Sequence, residues 1–288
     1  MHSMESLKTF LELARASKAA YASPIVHKHH SYKGKPFEEQ RIIHGSIGRG
    51  FCRIFWNTES VVICFRGTRE SVDWQISNLR AFPTQLRDCP ETSNTFVHRG
   101  FQGTLDYVDK TTHLRSLDAI FLCLEKNRLL DKKIAITGHS LGGALAILFA
   151  VKLRSLHPDK VKKNLEEIVT FGSPAVGLSA FKKHYGTLGN KTVRLINNAD
   201  AVPFTPPFFY KHVGSEIWLQ HEGVSTSAGW AGRLIKAISG PVSNFSSDHS
   251  ITQYILKLKA LINAKQIIWN DEASLPVLLD ESKRQSNT

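Results

Sequence analysis

The chain has 288 residues, of which 42% are hydrophobic, 22% charged and 9% aromatic. That balance excludes a disordered protein, a collagen-like repeat and a small disulfide scaffold, and a chain this long buries roughly three quarters of its unfolded surface without staples. Lys and Arg number 37 against 25 Asp and Glu, a net charge of +12 that predicts attraction to anionic surfaces, whether nucleic acid or acidic lipid, and says nothing about fold.

The opening MHSMESLKTFLELARASKAAY places Leu7, Phe10, Leu11 and Ala14 at helical spacing, with Glu5, Lys8, Glu12 and Arg15 among them. Those charges argue against a Sec-type signal and predict an amphipathic helix packed on the body. The longest apolar stretch, Gly142 to Val151, is about ten residues, where a membrane span needs roughly 20. The expectation is therefore a cytoplasmic protein, or one exported by a non-Sec route. Ser23 to Glu39 reads as a loop; its His27, His29 and His30 lack the matching Cys or carboxylate spacing of a metal site.

Phe51 to Trp56 and Ser60 to Phe65 read as two strands joined by a tight turn. Cys52 and Cys64 are equidistant from Thr58, so in such a hairpin they would face each other, a geometry that admits a disulfide. Cysteines in a long chain without a signal more often stay reduced and buried. Thr84 to Asn94 has loop composition, Val97 to Phe101 is a short strand, and Gly103 to about Arg128 carries a long helical pattern. Lys133 to Thr137 (KIAIT) is a buried strand and Gly142 to Leu156 a helix rich in small residues. Ile168 to Phe171 and Thr192 to Ile196 are strands separated by a helix over Leu178 to Tyr185. Beyond Asp200 come a Pro-rich stretch (Val202 to Pro207), a strand over Glu216 to Leu219, a helical pattern over His249 to Asn263 and a polar, frayed tail from about Glu281. Strands alternating with helices predict an α/β fold with a mostly parallel sheet, in a single domain over residues 1–288.

Gly138-His139-Ser140-Leu141-Gly142 is a G-x-S-x-G between the KIAIT strand and the small-residue helix, the context of a nucleophile elbow. The alternative is a glycine-rich turn with a capping serine. A serine nucleophile needs a base oriented by a carboxylate, and in this topology the chain order is Ser, then acid, then His. Asp200 follows the strand TVRLI at the strand's carboxyl end, where α/β sites form, although a turn Asp before Pro203 reads the same way. Among 13 histidines, His184 precedes Asp200, while His212 and His221 lie close behind it. His249, at the start of the last helix, can return to the elbow and is the candidate base; Asp248 beside it suits a helix cap. An oxyanion hole needs two donors: the Leu141 N–H, and one from an early loop such as Phe65-Arg66-Gly67-Thr68, through Thr68. Arg66 offers that loop a second reading as an anion site.

These residues resemble a known family. GHSLGGALA (Gly138 to Ala146) with FRGT (Phe65 to Thr68) is similar to the class 3 lipases, the fungal-lipase-like branch of the α/β-hydrolases. VHRGF (Val97 to Phe101), TFGSPAVG (Thr170 to Gly177), NNADAVPFTPP (Asn197 to Pro207) and SDHSITQY (Ser247 to Tyr254) resemble that family's landmarks in its order, over roughly Phe51 to Tyr254. The resemblance implies an α/β-hydrolase fold with Ser140 as nucleophile, Asp200 as acid, His249 as base and Thr68 with Leu141 as oxyanion hole. The chemistry requires no cofactor. The resemblance also suggests a lid over Ser71 to Leu79, where Val72, Ile76 and Leu79 share one helical face; an ordinary surface helix fits equally. The chain departs from secreted fungal members in lacking an evident signal and several disulfides. It also carries an insertion, Gln220 to Asp248, whose Trp230, Leu234, Ile235 and Ile238 suit a surface helix or a basic lipid-touching flap.

The expected activity is ester hydrolysis on lipids through an acyl-enzyme. Acylglycerols are the family default, phospholipids cleaved as by a phospholipase A1 come second, and aromatic esters third. A non-catalytic lipid-binding or protein-binding scaffold would usually lose a triad member, and all three stand here. The basic residues (Lys132-Lys133, Lys160 to Lys163, Lys182-Lys183, Lys257 to Lys259) are spread along the chain beside no recognition motif, which turns the charge away from nucleic acid and toward an anionic lipid interface.

Overall fold

A computed structural model describes residues 4–22, 27–45, 50–67, 82–89, 94–198, 200–206, 209–220, 223–225 and 247–263. In chain order the strands are β1 (Ser31–Tyr32), β2 (Lys35–Pro36), β3 (Glu39–His44), β4 (Gly50–Trp56), β5 (Ser60–Phe65), β6 (Pro83–Gln85), β7 (Phe96–His98), β8 (Lys133–His139), β9 (Leu165–Phe171), β10 (Thr192–Asn197), β11 (Ser215–Gln220) and β12 (Gly223–Ser225). The α-helices are α1 (Met4–Ala19), α2 (Arg99–Leu105), α3 (Ser116–Lys126), α4 (Leu141–Leu156), α5 (Pro158–Asn164), α6 (Ser179–Tyr185) and α7 (Ile251–Asn263).

Eight strands form one sheet in the order β12-β11-β10-β9-β8-β5-β4-β3, parallel from β5 through β11 and antiparallel at both margins. The parallel centre is covered on both faces, which is why β5 (SVVICF) is buried at every position and β8 is buried from Ile134 onward. At the β3 edge the burial alternates and charged residues, Glu39 and Arg41, point outward. Helices α1 and α7 pack on one face of the sheet with Phe55, Val62, Cys64, Ala135 and Val169. Helices α2 to α6 cover the other, with Ile54, Val61, Ile63, Ile134 and Ile136. Helix α4 is buried from Gly142 to Leu153, so its small and apolar composition runs all round rather than along one stripe. Among the described residues no helix is long and apolar enough to cross a membrane.

Several expectations change. Cys52 and Cys64 do not face each other: the hairpin pairs Cys52 with Phe65 and Arg53 with Cys64. That is one residue away from the symmetric register, and a one-residue slip sends a side chain to the opposite face. Cys52 lies in the α2–α6 core and Cys64 in the α1/α7 core, both as free thiols. Asn57 sets this register. Its N–H donates to Ser60 O at 3.0 Å, and its side-chain oxygen accepts from the N–H groups of Glu59 and Ser60 at 3.0 and 2.9 Å, leaving Thr58-Glu59 as a two-residue turn.

The long helix expected over 103–128 is two helices. Asp109 Oδ1 accepts from the N–H groups of Thr111 and Thr112 at 2.9 and 2.8 Å, and His113 takes φ 56°, so a local turn outcompetes the helix there. Within the expected loop over 84–94, Thr84 and Gln85 pair with β7, whose strand ends at His98 because helix α2 begins at Arg99. The lid region 71–79 and residues 226–246 of the insertion lie outside the described residues, as does the tail.

Candidate active site

Ser140 joins β8 to α4 at φ 59° and ψ −130°, a left-handed backbone that costs an ordinary residue about 1–3 kcal/mol. The sharp turn brings α4 back against the sheet. A Cβ on Gly138 would strike the Gly142 carbonyl and one on Gly142 would strike the Phe65 carbonyl, which is why both flanking positions are glycine. The Ser140 N–H donates to Phe171 O at 2.9 Å, tying the elbow to the end of the neighbouring parallel strand.

Three residues from separate elements meet at the carboxyl ends of the strands. His249 Nε2 lies 2.8 Å from Ser140 Oγ, and His249 Nδ1 lies 2.9 and 3.0 Å from the two carboxylate oxygens of Asp200. All three side chains are buried. Asp200 also accepts from the Tyr254 hydroxyl at 2.6 Å and from the Val202 N–H at 3.0 Å, while Tyr254 accepts from the Asn197 N–H at 3.0 Å. Burial alone would raise the Asp200 carboxyl, but the charge and hydrogen bond of His249 with the Tyr254 and Val202 donors hold it below the ordinary aspartate value. Burial, with the Asp200 charge, pushes the Tyr254 phenol far up, so that it stays a donor. A carboxylate therefore fixes Nδ1 as the protonated nitrogen and leaves the Nε2 lone pair facing the Ser140 hydroxyl, the arrangement by which a base can activate a serine.

The other sequence candidates stand elsewhere. His184 lies on α6 beside Arg154, His212 bonds the Pro203 carbonyl, and His221 is outside the described residues. Leu141 is the first residue of α4, so its N–H has no acceptor earlier in the helix and stands next to Ser140. Thr68 lies outside the described residues; the adjoining Arg66 is buried and turned inward, its Nε bonded to Gly67 O and its guanidinium 5.9 Å from the Tyr21 ring.

Two neighbours of the triad escape sequence reasoning. His139, the variable residue of the elbow motif, bonds Tyr21 on one side and the main chain of His249 on the other. Gly172, just past β9, has φ +57°, and a Cβ there would come within 2.5 Å of Asp200 Oδ2 and 3.0 Å of His249 Nδ1. Its sequence signals are a glycine directly after the apolar strand IVTF and a place in the segment TFGSPAVG, neither of which points to the triad. Gly172→Ala is expected to wedge acid from base, lowering kcat about a hundredfold, since displacements near 1 Å cost that much. Left-handed strain and overpacking should each remove about 1–3 kcal/mol of stability. Steady-state kinetics beside a thermal melt measure both.

Residues 62–210 match the family described as lipase (class 3). A lipase from Rhizomucor miehei is 32% identical over 170 residues, covering 58% of this chain and 44% of that protein. Phospholipase A1-Igamma2, chloroplastic, from Arabidopsis thaliana is 30% identical over 198 residues, covering 56% of this chain and 37% of that protein. The chain thus matches less than half the length of these curated relatives. Among solved structures, the Rhizomucor miehei triacylglyceride lipase is similar with a TM-score of 0.58 at 27% identity, over 77% of this chain and 83% of that one. A lipase from Rhizopus microsporus var. chinensis shares the fold, with a TM-score of 0.64 at 23% identity over 84% of this chain and 85% of that one. The family segment opens inside β5, passes through the serine elbow and Asp200 and ends at Tyr210, just over half of the 288 residues, and on that match the chain belongs to the class 3 lipases of the α/β-hydrolase superfamily.

Proposed function

We propose that this protein is a serine ester hydrolase acting on acylglycerols, as one α/β-hydrolase domain. The observation that carries the reading is the 2.8 Å contact between His249 Nε2 and Ser140 Oγ, with Asp200 directly behind the imidazole. Ser140 Oγ attacks the acyl carbonyl and its proton passes to His249 Nε2. The N–H groups of Leu141 and Thr68 stabilise the oxyanion. The tetrahedral adduct then collapses: the C–O bond to glycerol breaks, His249 returns its proton to the leaving alkoxide, and the acyl group stays on Ser140. Water repeats the sequence, with His249 as base, and releases the fatty acid. No metal or cofactor enters these steps.

A second reading, a phospholipase A1 working on anionic membranes, draws on the Arabidopsis thaliana relative and on the +12 charge. One panel separates the two: triacylglycerol and diacylglycerol emulsions against phosphatidylcholine and phosphatidylglycerol vesicles at equal ester concentration. The acylglycerol reading expects the fastest fatty-acid release from the emulsions. Faster release from phosphatidylglycerol vesicles, with vesicle binding that weakens from 0.05 to about 0.5 M salt as surface electrostatics do, would replace it by the second. Release from neither, but from a feruloyl ester, would move the substrate class to aromatic acids.

A further inference from the structure

His249 sits in the turn Ser247–Ser250, one residue before the start of the hydrogen-bonding ladder of α7: the Tyr254 N–H reaches back to Ser250 O, and the Ser250 N–H to Ser247 O. The His249 carbonyl is thus outside the helix and needs a donor from elsewhere. The donor is His139, whose Nε2 lies 2.6 Å from that oxygen. A carbonyl only accepts, so Nε2 carries the proton. In a neutral ring Nδ1 is then bare and accepts, and its partner at 2.9 Å is the Tyr21 hydroxyl, which donates. The His139 ring is 4.6 Å from the catalytic imidazole.

We infer that Tyr21 and His139 are positioning residues for the base: Tyr21, in the turn that follows helix α1, holds the elbow histidine in one tautomer, and that histidine holds His249 by its own backbone. The inference rests on the reading of His249 as the base of a hydrolase. Tyr21 lies well before the family-matched segment 62–210. Residues on either side of it are anchored, and its own hydroxyl is closely packed. Ser17 Oγ bonds Thr137 Oγ1 at 3.0 Å, two residues ahead of His139; Arg53 donates to Ala22 O; and the Tyr21 hydroxyl sits where any side chain on Gly67, in the oxyanion loop, would collide with it. Helix α1 and the turn that follows it, both outside the family segment, therefore touch the loop, the elbow and, through His139, the base.

The arrangement also suits the charge cycle of catalysis. Burial and the neighbouring His249 hold the His139 imidazole down to about 3, so it stays neutral when His249 becomes imidazolium and adds no second cation beside it. The carbonyl bond restrains the backbone from which the catalytic ring extends, where a small rotation lengthens both triad contacts at once.

The test uses the full chain and p-nitrophenyl butyrate, with enzyme counted by active-site titration so that unfolded molecules drop out. Tyr21→Phe is expected to lower kcat about fivefold and His139→Leu about fiftyfold, each with KM within twofold, because substrate contacts are untouched. His139→Gln, whose amide N–H reaches as far as Nε2, should recover kcat to within about fivefold of wild type. Equal kcat in the Leu and Gln variants, or kcat unchanged in Tyr21→Phe, overturns the inference. Nitrogen-15 NMR of the imidazoles reads the tautomer independently of turnover: a protonated Nε2 on His139 in wild type supports it and a protonated Nδ1 overturns it. Absence of Ser140-dependent turnover in wild type overturns the hydrolase reading and the catalytic role built on it, and is told apart by that spectrum.

Discussion

Ser140→Ala is expected to lower kcat on a short p-nitrophenyl ester about a millionfold, the scale on which loss of a triad serine is felt. The substitution removes one oxygen from a buried site and leaves the rest in place. Alanine takes the backbone of Ser140, φ 59°, with the same strain, and His249 keeps its 2.9 Å contact to Asp200. The unpaired Nε2 costs stability while removal of the buried hydroxyl returns some, so the melting temperature should stay within about 4 °C, the shift that roughly 1 kcal/mol produces in a domain of this size. What remains is the rate supplied by binding and the oxyanion donors. A fluorophosphonate probe should label the wild type once and the variant not at all. Residual turnover above about 1% with an unchanged melt would remove Ser140 from the role of nucleophile and leave the elbow as a glycine-rich helix cap.

Ser140, Asp200 and His249 are legible in the sequence because each marks a chain feature whose order the chemistry dictates: a strand-to-helix turn flanked by glycines, an acid at the end of a later strand, and a histidine just ahead of the last helix. Buried parallel strands are legible for a similar reason, since β5 carries the apolar run VVICF and β8 the run IAI. The register of the β4–β5 hairpin is not. Symmetric counting from Thr58 treats the turn as three residues, whereas Asn57 captures two N–H groups with its side chain and shortens it to two. A single side-chain oxygen decides which face each cysteine takes. The break between α2 and α3 is set in the same manner, by Asp109, within the polar run Asp109 to His113, where no apolar residue keeps the helical spacing and local hydrogen bonds turn the chain.

Contacts that join distant segments leave even less trace. Tyr21 and His139 are 118 positions apart, and their bond exists only because α1 docks across the end of β8. No periodicity in either segment points to the other. Gly172 carries a weak local signal, but its reason, the proximity of Asp200 and His249, requires the parallel pairing of β9 and β10 to be known first. The proposed reacting groups can thus be read from type and order, whereas the groups that hold them become visible only in three dimensions.

Asp200→Asn is expected to lower kcat about ten-thousandfold, through the wrong imidazole tautomer rather than through distance. Both Asp200 oxygens face donors: the Val202 N–H at one, the Tyr254 hydroxyl at the other, and His249 Nδ1 between them. An amide must place its N–H2 against one of these. Val202 can only donate, so the amide turns toward Tyr254, whose hydroxyl rotates to accept. The N–H2 then also faces Nδ1 and favours its bare form, and His249 presents an N–H to Ser140 in place of a lone pair. The pH dependence separates this from simple damage. The folded-state pKa of Asp200 lies below the value near 3.9 of an unfolded aspartate, so its charge adds stability at pH above about 4, and that contribution is lost as the pH falls through the folded value. The Asp200→Asn variant should therefore be less stable than wild type at pH 7 and converge with it below about pH 4 in denaturant titrations, while kcat stays low wherever the variant is folded. Wild-type kcat in a folded variant would mean that another group orients His249, and a stability gap that persists unchanged into acid would mean that the carboxylate contributes through packing rather than charge.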